Sequence, residues 1–364
     1  MNCDLVPLVS NNAGDWLCMR MDGEGRFDQI VQWYHGGGDW IPWGASLPEA
    51  ILMDAVIDRL PGPSRRHAEP AEDPRPNRDL LQQDRLLNWA CEHLPGAVRD
   101  LLAARLEGQI LAEELLVLGL AEVAVRCELL VDQLTHPERD RIVGSLTGKV
   151  DSNLLAEWLF DLDRMPKDIW DGLELEGIQL KGIQGWDQAY THAHRVTNLE
   201  PDLAWGWDLC GYVTERRGDS TRAVDFYRSS ANCSVFTDQA TRLETHWQSN
   251  EFAKFSVSRL HHLLPDCVAQ SGYYRSLGGP DVRQRRRQVT EYWLERASDF
   301  EQEQEFRQMH HCLVAAAWDV GIDSILMYAT LLEQMAKAAA QCNQPARAEL
   351  ADTHRRCLKD RYGM

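Results

Sequence analysis

The chain has 364 residues, 44% of them hydrophobic and 26% charged, proportions that exclude general disorder and fit a globular protein. Fifty-six acids against 38 Lys and Arg leave a formal charge of −18, so the molecule as a whole is unsuited to binding phosphate backbones. Its longest apolar runs, Leu115–Ala121 and Cys312–Trp318, have seven residues each, far short of the roughly 20 that a membrane helix needs.

Asp4 lies near the front, and no basic stretch followed by an apolar one is visible, so no secretory signal is expected. Ten cysteines without a Cys-x-x-Cys pair predict reduced, mostly buried thiols and a cytoplasmic location.

The N-terminal segment has a strand pattern. Leu5–Val9 is a short apolar run closed by turn residues at 10–14, Trp16–Met21 is apolar except for Arg20, and 22–25 form a second turn. Phe27–Tyr34 alternates in part, with Phe27, Gln29, Val31 and Trp33 on one face. Three strands on short loops predict an antiparallel meander. Ser46-Leu47-Pro48-Glu49 then has the spacing of a capping box and opens a helix that runs to about Leu60.

Five of the 15 prolines (Pro61, Pro63, Pro70, Pro74, Pro76) follow in close succession, amid charged side chains and no apolar stripe. Proline removes backbone donors and restricts its neighbour, which predicts an extended linker over 61–80. Beyond it nearly every segment has helical spacing. The expected architecture is predominantly α: a small N-terminal α+β module at 1–60, the linker, a helical region at 81–165, repeats at 166–268 and further helices at 269–364.

Within the repeat region, Trp207 and Gly211 share one helical face, Gly218-Asp219 make a turn, and Ala223, Tyr227 and Ser230 line a second helix. A small residue opposite a bulky one lets two antiparallel helices approach closely. This layout resembles the tetratricopeptide (TPR) repeat. The step from Ala189 to Ala223 equals the repeat length of that family. A slipped third copy runs through Ala253 to Pro265, while Cys210 and Thr214 depart from the usual residues.

Few chemical motifs survive scrutiny. His35 followed by three glycines is suggestive of an oxyanion loop, but no Gly-x-Ser-x-Gly elbow accompanies it. Gly144 to Lys149 is one residue short of a phosphate loop and has Val150 in place of Ser or Thr. His192/His194, His261/His262 and His310/His311 lack the one-turn spacing of zinc ligands, so neither a metal nor a cofactor is expected. Arg283–Arg287 holds four arginines in five residues, and reads as a solvated loop or helix start that is able to dock an acidic partner segment. Trp16, Trp33, Trp40 and Trp43 crowd a module too small to bury them all, which divides them between core and interface.

A second resemblance rests on Val6-Pro7-Leu8, Asn12 to Asp15, Trp16-Leu17-Cys18, Val31 to His35, and Ser46 to Leu52. In order and spacing these resemble the latter half of a SUKH-superfamily (Knr/Smi-like) domain, with Asp15, Trp33, His35 and Asp39 matching its motif. The N-terminal half of the family's domain has no counterpart, which leaves three expectations: a truncated copy, a natural start upstream of Met1, or a sheet covered by the helical domain. The resemblance implies a binding fold without a catalytic centre, some members being immunity proteins that occupy toxins.

The reading is a cytoplasmic, non-enzymatic interaction protein with a toxin-immunity or regulatory role, binding a protein partner such as a basic toxin domain or peptide. Its candidate binding residues are Asp15, Trp33, His35, Asp39, Trp40 and Trp43. The alternative is a hydrolase or metal-dependent enzyme that uses the His35 glycine loop or His310/His311.

Overall fold

The computed structural model describes residues 4–10, 14–35, 38, 40–51, 85–86, 88–94, 165–175, 186–237 and 251–363. The expected linker at 61–80 and most of the helical region at 81–165 lie outside them. The protein is predominantly α, with an N-terminal antiparallel sheet of four strands followed by a helical array. No helix among the described residues is long and apolar enough to cross a membrane.

Two compact units make up the chain. One comprises Met1–Ile41, Glu200–Gln239 and Trp247–Met364; the other comprises Pro42–Leu199 and Ala240–His246.

In the first unit the sheet opens with β1 (Leu5–Ser10), β2 (Trp16–Met21) and β3 (Phe27–Trp33), consecutive antiparallel neighbours as the alternation predicts. Cys18 faces Val31 across the β2–β3 pair, and both are fully buried with Leu5 and Trp40. Pro7, which has no N–H to give, sits on edge strand β1 beside an irregularity in the register between Pro7 and Val9.

A fourth strand, β4 (Trp40–Gly44), corrects the three-strand expectation. Pro42 and two flanking glycines suggest a loop, yet an edge strand tolerates proline. Trp40 also pairs outside the sheet, its N–H donating to the Phe236 carbonyl at 2.9 Å and its backbone bridging Thr237 in parallel.

Among the described residues, the unit's helices are α3 (Ala204–Arg216), α4 (Ser220–Ala231), α5 (Phe255–Leu263), α6 (Pro265–Gln270), α7 (Gly272–Ser276), α8 (Val282–Gln302), α9 (Phe306–Trp318), α10 (Ile325–Gln341) and α11 (Pro345–Tyr362). Short loops fold α3 onto α4, α8 onto α9 and α10 onto α11. Gly218 takes a left-handed φ of 82° in the first of these loops, and the Asp219 side chain caps α4 by accepting from the Arg222 N–H.

Gly211 explains how α3 and α4 approach. A Cβ there would lie 2.6 Å from the Tyr227 ring, so only glycine admits the fully buried tyrosine. The Tyr227 hydroxyl donates to Glu215 at 2.9 Å, and Arg259 from α5 pairs with the same carboxylate. Ala223 is fully buried on the facing helix.

In the other unit, α1 (Lys167–Leu175) buries Ile169 and Leu173, and α2 (Trp186–Leu199) buries Ala193 and Val196. Ala189 belongs to α2, but its side chain lies outside the described residues. The Ser46 capping box forms in altered shape: the Glu49 N–H meets Ser46 Oγ at 3.4 Å, while the Glu49 carboxylate accepts from the Ala45 N–H at 2.7 Å.

Candidate binding surface

Asp15 and His35 lie at one end of the sheet, where β2 begins and β3 has just ended. Asp15 Oδ1 accepts from the His35 backbone N–H at 3.0 Å, and His35 Nδ1 lies 3.0 Å from the same oxygen. Gly14 makes room for this arrangement: it has a φ of 104°, and a Cβ there would stand 2.9 Å from the imidazole. Trp33 is half-buried next to this pair in sequence and donates from Nε1 to the Gly38 carbonyl at 3.1 Å. Asp15, Trp33 and His35 thus cluster at one tip of the sheet, with the His35 ring exposed.

Trp40 and Trp43 are placed differently. Trp40 is 6% exposed, with the Arg20 guanidinium 4.9 Å above its ring, and Trp43 is 7% exposed. Both are core side chains as they stand. Asp39, Gly36 and Gly37 lie outside the described residues.

Single exposed apolar side chains lie at each end of the sheet. Val9 on edge strand β1 is 57% exposed and Phe27 at the start of β3 is 53% exposed. An exposed strand edge such as β1 is a recurrent protein-docking feature.

The opposite end of the sheet is fixed to the helices by a contact that sequence reasoning missed. Arg347 of α11 is 4% exposed and donates to Asp4 Oδ1 at 2.9 Å, to the Asp22 carbonyl and to the Gly23 carbonyl at 3.3 Å. Gln344 Nε2 donates to the Gly23 carbonyl at 3.2 Å, and Arg307 pairs with Glu24 at 2.5 Å. The β2–β3 turn is therefore gripped by three side chains from the helical array, which leaves the Asp15–His35 tip pointing away from the clamp. The sequence signal, an arginine in the first turn of a helix, is too common to stand out.

His310 and His311 do not converge. The His310 ring is enclosed, its Nε2 has no protein partner, and burial pushes its pKa down to about 3, so it stays neutral. His311 is exposed and meets the edge of Trp293 at 6.4 Å. Among the described residues no group of three His, Cys, Asp or Glu is placed to hold a metal ion. Burial raises the Cys18, Cys210 and Cys233 thiols to about 12, which keeps them protonated.

A buried polar cluster also went unread in the sequence. Lys254 Nζ donates to the Ala231 and Cys233 carbonyls at 2.7 Å and to Asp319 Oδ1 at 2.5 Å, while Asp319 Oδ2 accepts from Tyr273 at 2.8 Å and Trp293 at 2.9 Å. Every charge here is met, so the cluster ties α4, α7, α8 and the end of α9 together.

No protein-family model matches the chain, and a search of curated proteins finds no match either.

Proposed function

We propose that the chain is a cytoplasmic, non-enzymatic interaction protein: a SUKH-like binding module carried on a TPR-like helical scaffold, with a toxin-immunity or regulatory role. The observation that carries this reading is the clamp on the β2–β3 turn. Arg347, Gln344 and Arg307 hold one end of the sheet on the helices, while Asp15, Trp33 and His35 stand at the other end with the imidazole exposed. The sheet is also tied to the helices at Gly38 and Trp40, so the His35 imidazole is exposed on a firmly held module, an arrangement suited to presenting it to a partner.

The Gly211–Tyr227 contact, the Gly218-Asp219 turn and buried Ala223 support the TPR-like half, because they are the small-against-large packing that such a repeat requires. The order of the strands and the Asp15–His35 pairing support the SUKH-like half. The partner would be basic: a net charge of −18 accelerates encounter with a cationic protein such as a toxin domain, and Trp33 offers aromatic contact.

A photo-crosslinking residue in place of His35 in the full chain tests the proposal in the native host. The expected product is a single adduct with a basic protein, absent when the crosslinker replaces exposed Thr353 of α11. Equal, diffuse labelling from both positions would remove the reading.

A further inference from the structure

Two helix starts with unusual side chains meet on the surface of the first unit. Helix α8 begins Val282-Arg283-Gln284-Arg285-Arg286-Arg287, and α10 begins Ile325-Leu326-Met327. The Arg286 guanidinium pairs with Asp323 at 3.8 Å, and a Cβ on Gly321 would stand 3.5 Å from Arg286 Nε, which sets the two starts side by side. Val282 and Arg283 precede Arg286 by four and three positions, so they flank the same side of α8.

Neither set of side chains is explained by the fold. Ile325, Leu326 and Met327 are 45%, 63% and 43% exposed, while α10 buries a separate stripe of Tyr328, Leu331, Leu332 and Met335. Val282 is 50% exposed. Arg285 turns inward to the Gly279 carbonyl at 2.6 Å, but Arg283 and Arg287 are exposed and have no acidic partner among the described residues. Arginines in the first turns of a helix stand at the positive end of its dipole, an unfavourable place that carboxylates from outside would relieve. Exposed apolar groups rimmed by charge are a recurrent mark of interaction sites.

We propose that Val282, Arg283, Arg287 and Ile325–Met327 form a second docking surface, which takes an acidic amphipathic segment of a partner protein. Its apolar side chains would cover Ile325–Met327 and its carboxylates would meet Arg283 and Arg287, with bidentate geometry available to each guanidinium. A short segment senses the local field within a Debye length of about 8–10 Å. An extended anionic polymer or membrane would instead meet the repulsion of a molecule of charge −18. The site goes beyond the interaction reading above and survives its failure, because the two surfaces take partners of opposite charge.

The test uses the full chain and a fluorescein-labelled helical peptide with Glu on one face and Leu on the other, read by anisotropy. Two control peptides replace Leu with Ala or Glu with Lys. The expected result is saturable binding of the first peptide alone. That binding should weaken at least about tenfold in R283E/R287E and about fivefold in L326S, and should fall as salt rises. Because all three positions are exposed, the melting temperatures of the variants should match the parent; if R283E/R287E melts early, L326S and the salt dependence carry the decision. Failure of the acidic peptide to bind, equal binding to parent and variants, or stronger retention on phosphatidylserine vesicles than on the peptide would each overturn the proposal.

Discussion

Asp4 and Arg347 stand near opposite ends of the chain, yet their side chains meet at 2.9 Å and close the grip on the β2–β3 turn. The guanidinium is almost completely buried and also donates to two carbonyls of that turn and to Gln344. A buried charge with its donors occupied adds little over an apolar pair, but removing one partner strands the other.

Arg347→Ala should therefore lower the stability of the full chain by about 3 kcal/mol, and Arg347→Lys should recover little, since one ammonium cannot replace the planar fork. Urea denaturation followed by tryptophan fluorescence reads both. A loss below about 0.5 kcal/mol, the range of ordinary surface changes, would mean that the clamp is dispensable.

The α3–α4 contact is the second target. Ala223→Leu should overpack the interface and cost about 1–3 kcal/mol, and Gly211→Ala should fall in the same range because its methyl group enters the Tyr227 ring. If either variant melts with the parent, the close approach of the two helices at that position is wrong.

Asp208 on α3 gives a pH signature. Burial raises its carboxyl to about 7, and one carboxylate oxygen has no protein partner. An unfolded Asp titrates near 3.9, so between about 4 and 7 the folded chain holds a proton that the unfolded chain has released. Stability at this site is thus fully present below about 4 and is lost as pH rises from there through 7. Asp208→Asn should remove that slope and be more stable than the parent at pH 8 by on the order of 2 kcal/mol. A parent and variant with parallel melting curves from pH 5 to 8 would refute the assignment.

His310 works in the opposite sense. Its folded pKa of about 3 lies below the roughly 6.5 of an unfolded histidine, so acid protonates the unfolded chain first. Stability should fall as pH drops from about 6.5 towards 3, and His310→Leu should flatten that decline by roughly a few kcal/mol. The same acid titration on both proteins checks it, and an unchanged slope would place the acid sensitivity elsewhere.

Local patterns made much of the fold legible. Strands β1–β3 follow from apolar runs and turn residues, and the α3–α4 hairpin follows from Gly211, Gly218, Asp219 and Ala223. What escaped depends on distant partners. Strand β4 contains Pro42 and is stabilised at Trp40 by Phe236 and Thr237, which lie far along the chain. The Trp40 side chain is buried with Leu5, Cys18 and Val31, whereas composition alone could equally place it at an interface. Lys254 with Asp319 and Asp4 with Arg347 are likewise ordinary charged residues until the chain brings them together. At the candidate surface, Asp15 meets His35, 20 positions away, because the antiparallel β2–β3 pair that the strand pattern implies brings the start of one strand beside the end of the other.

The central claim is that the sheet, held on the helices at its β2–β3 turn, offers its Asp15–His35 end to a protein partner. Hydrogen exchange of the full chain, alone and with the basic protein captured through position 35, tests this most directly. Added protection is expected at residues 14–18 and 31–35, with α11 unchanged. Protection confined to the helices, with 14–35 exchanging as in the free chain, would contradict it.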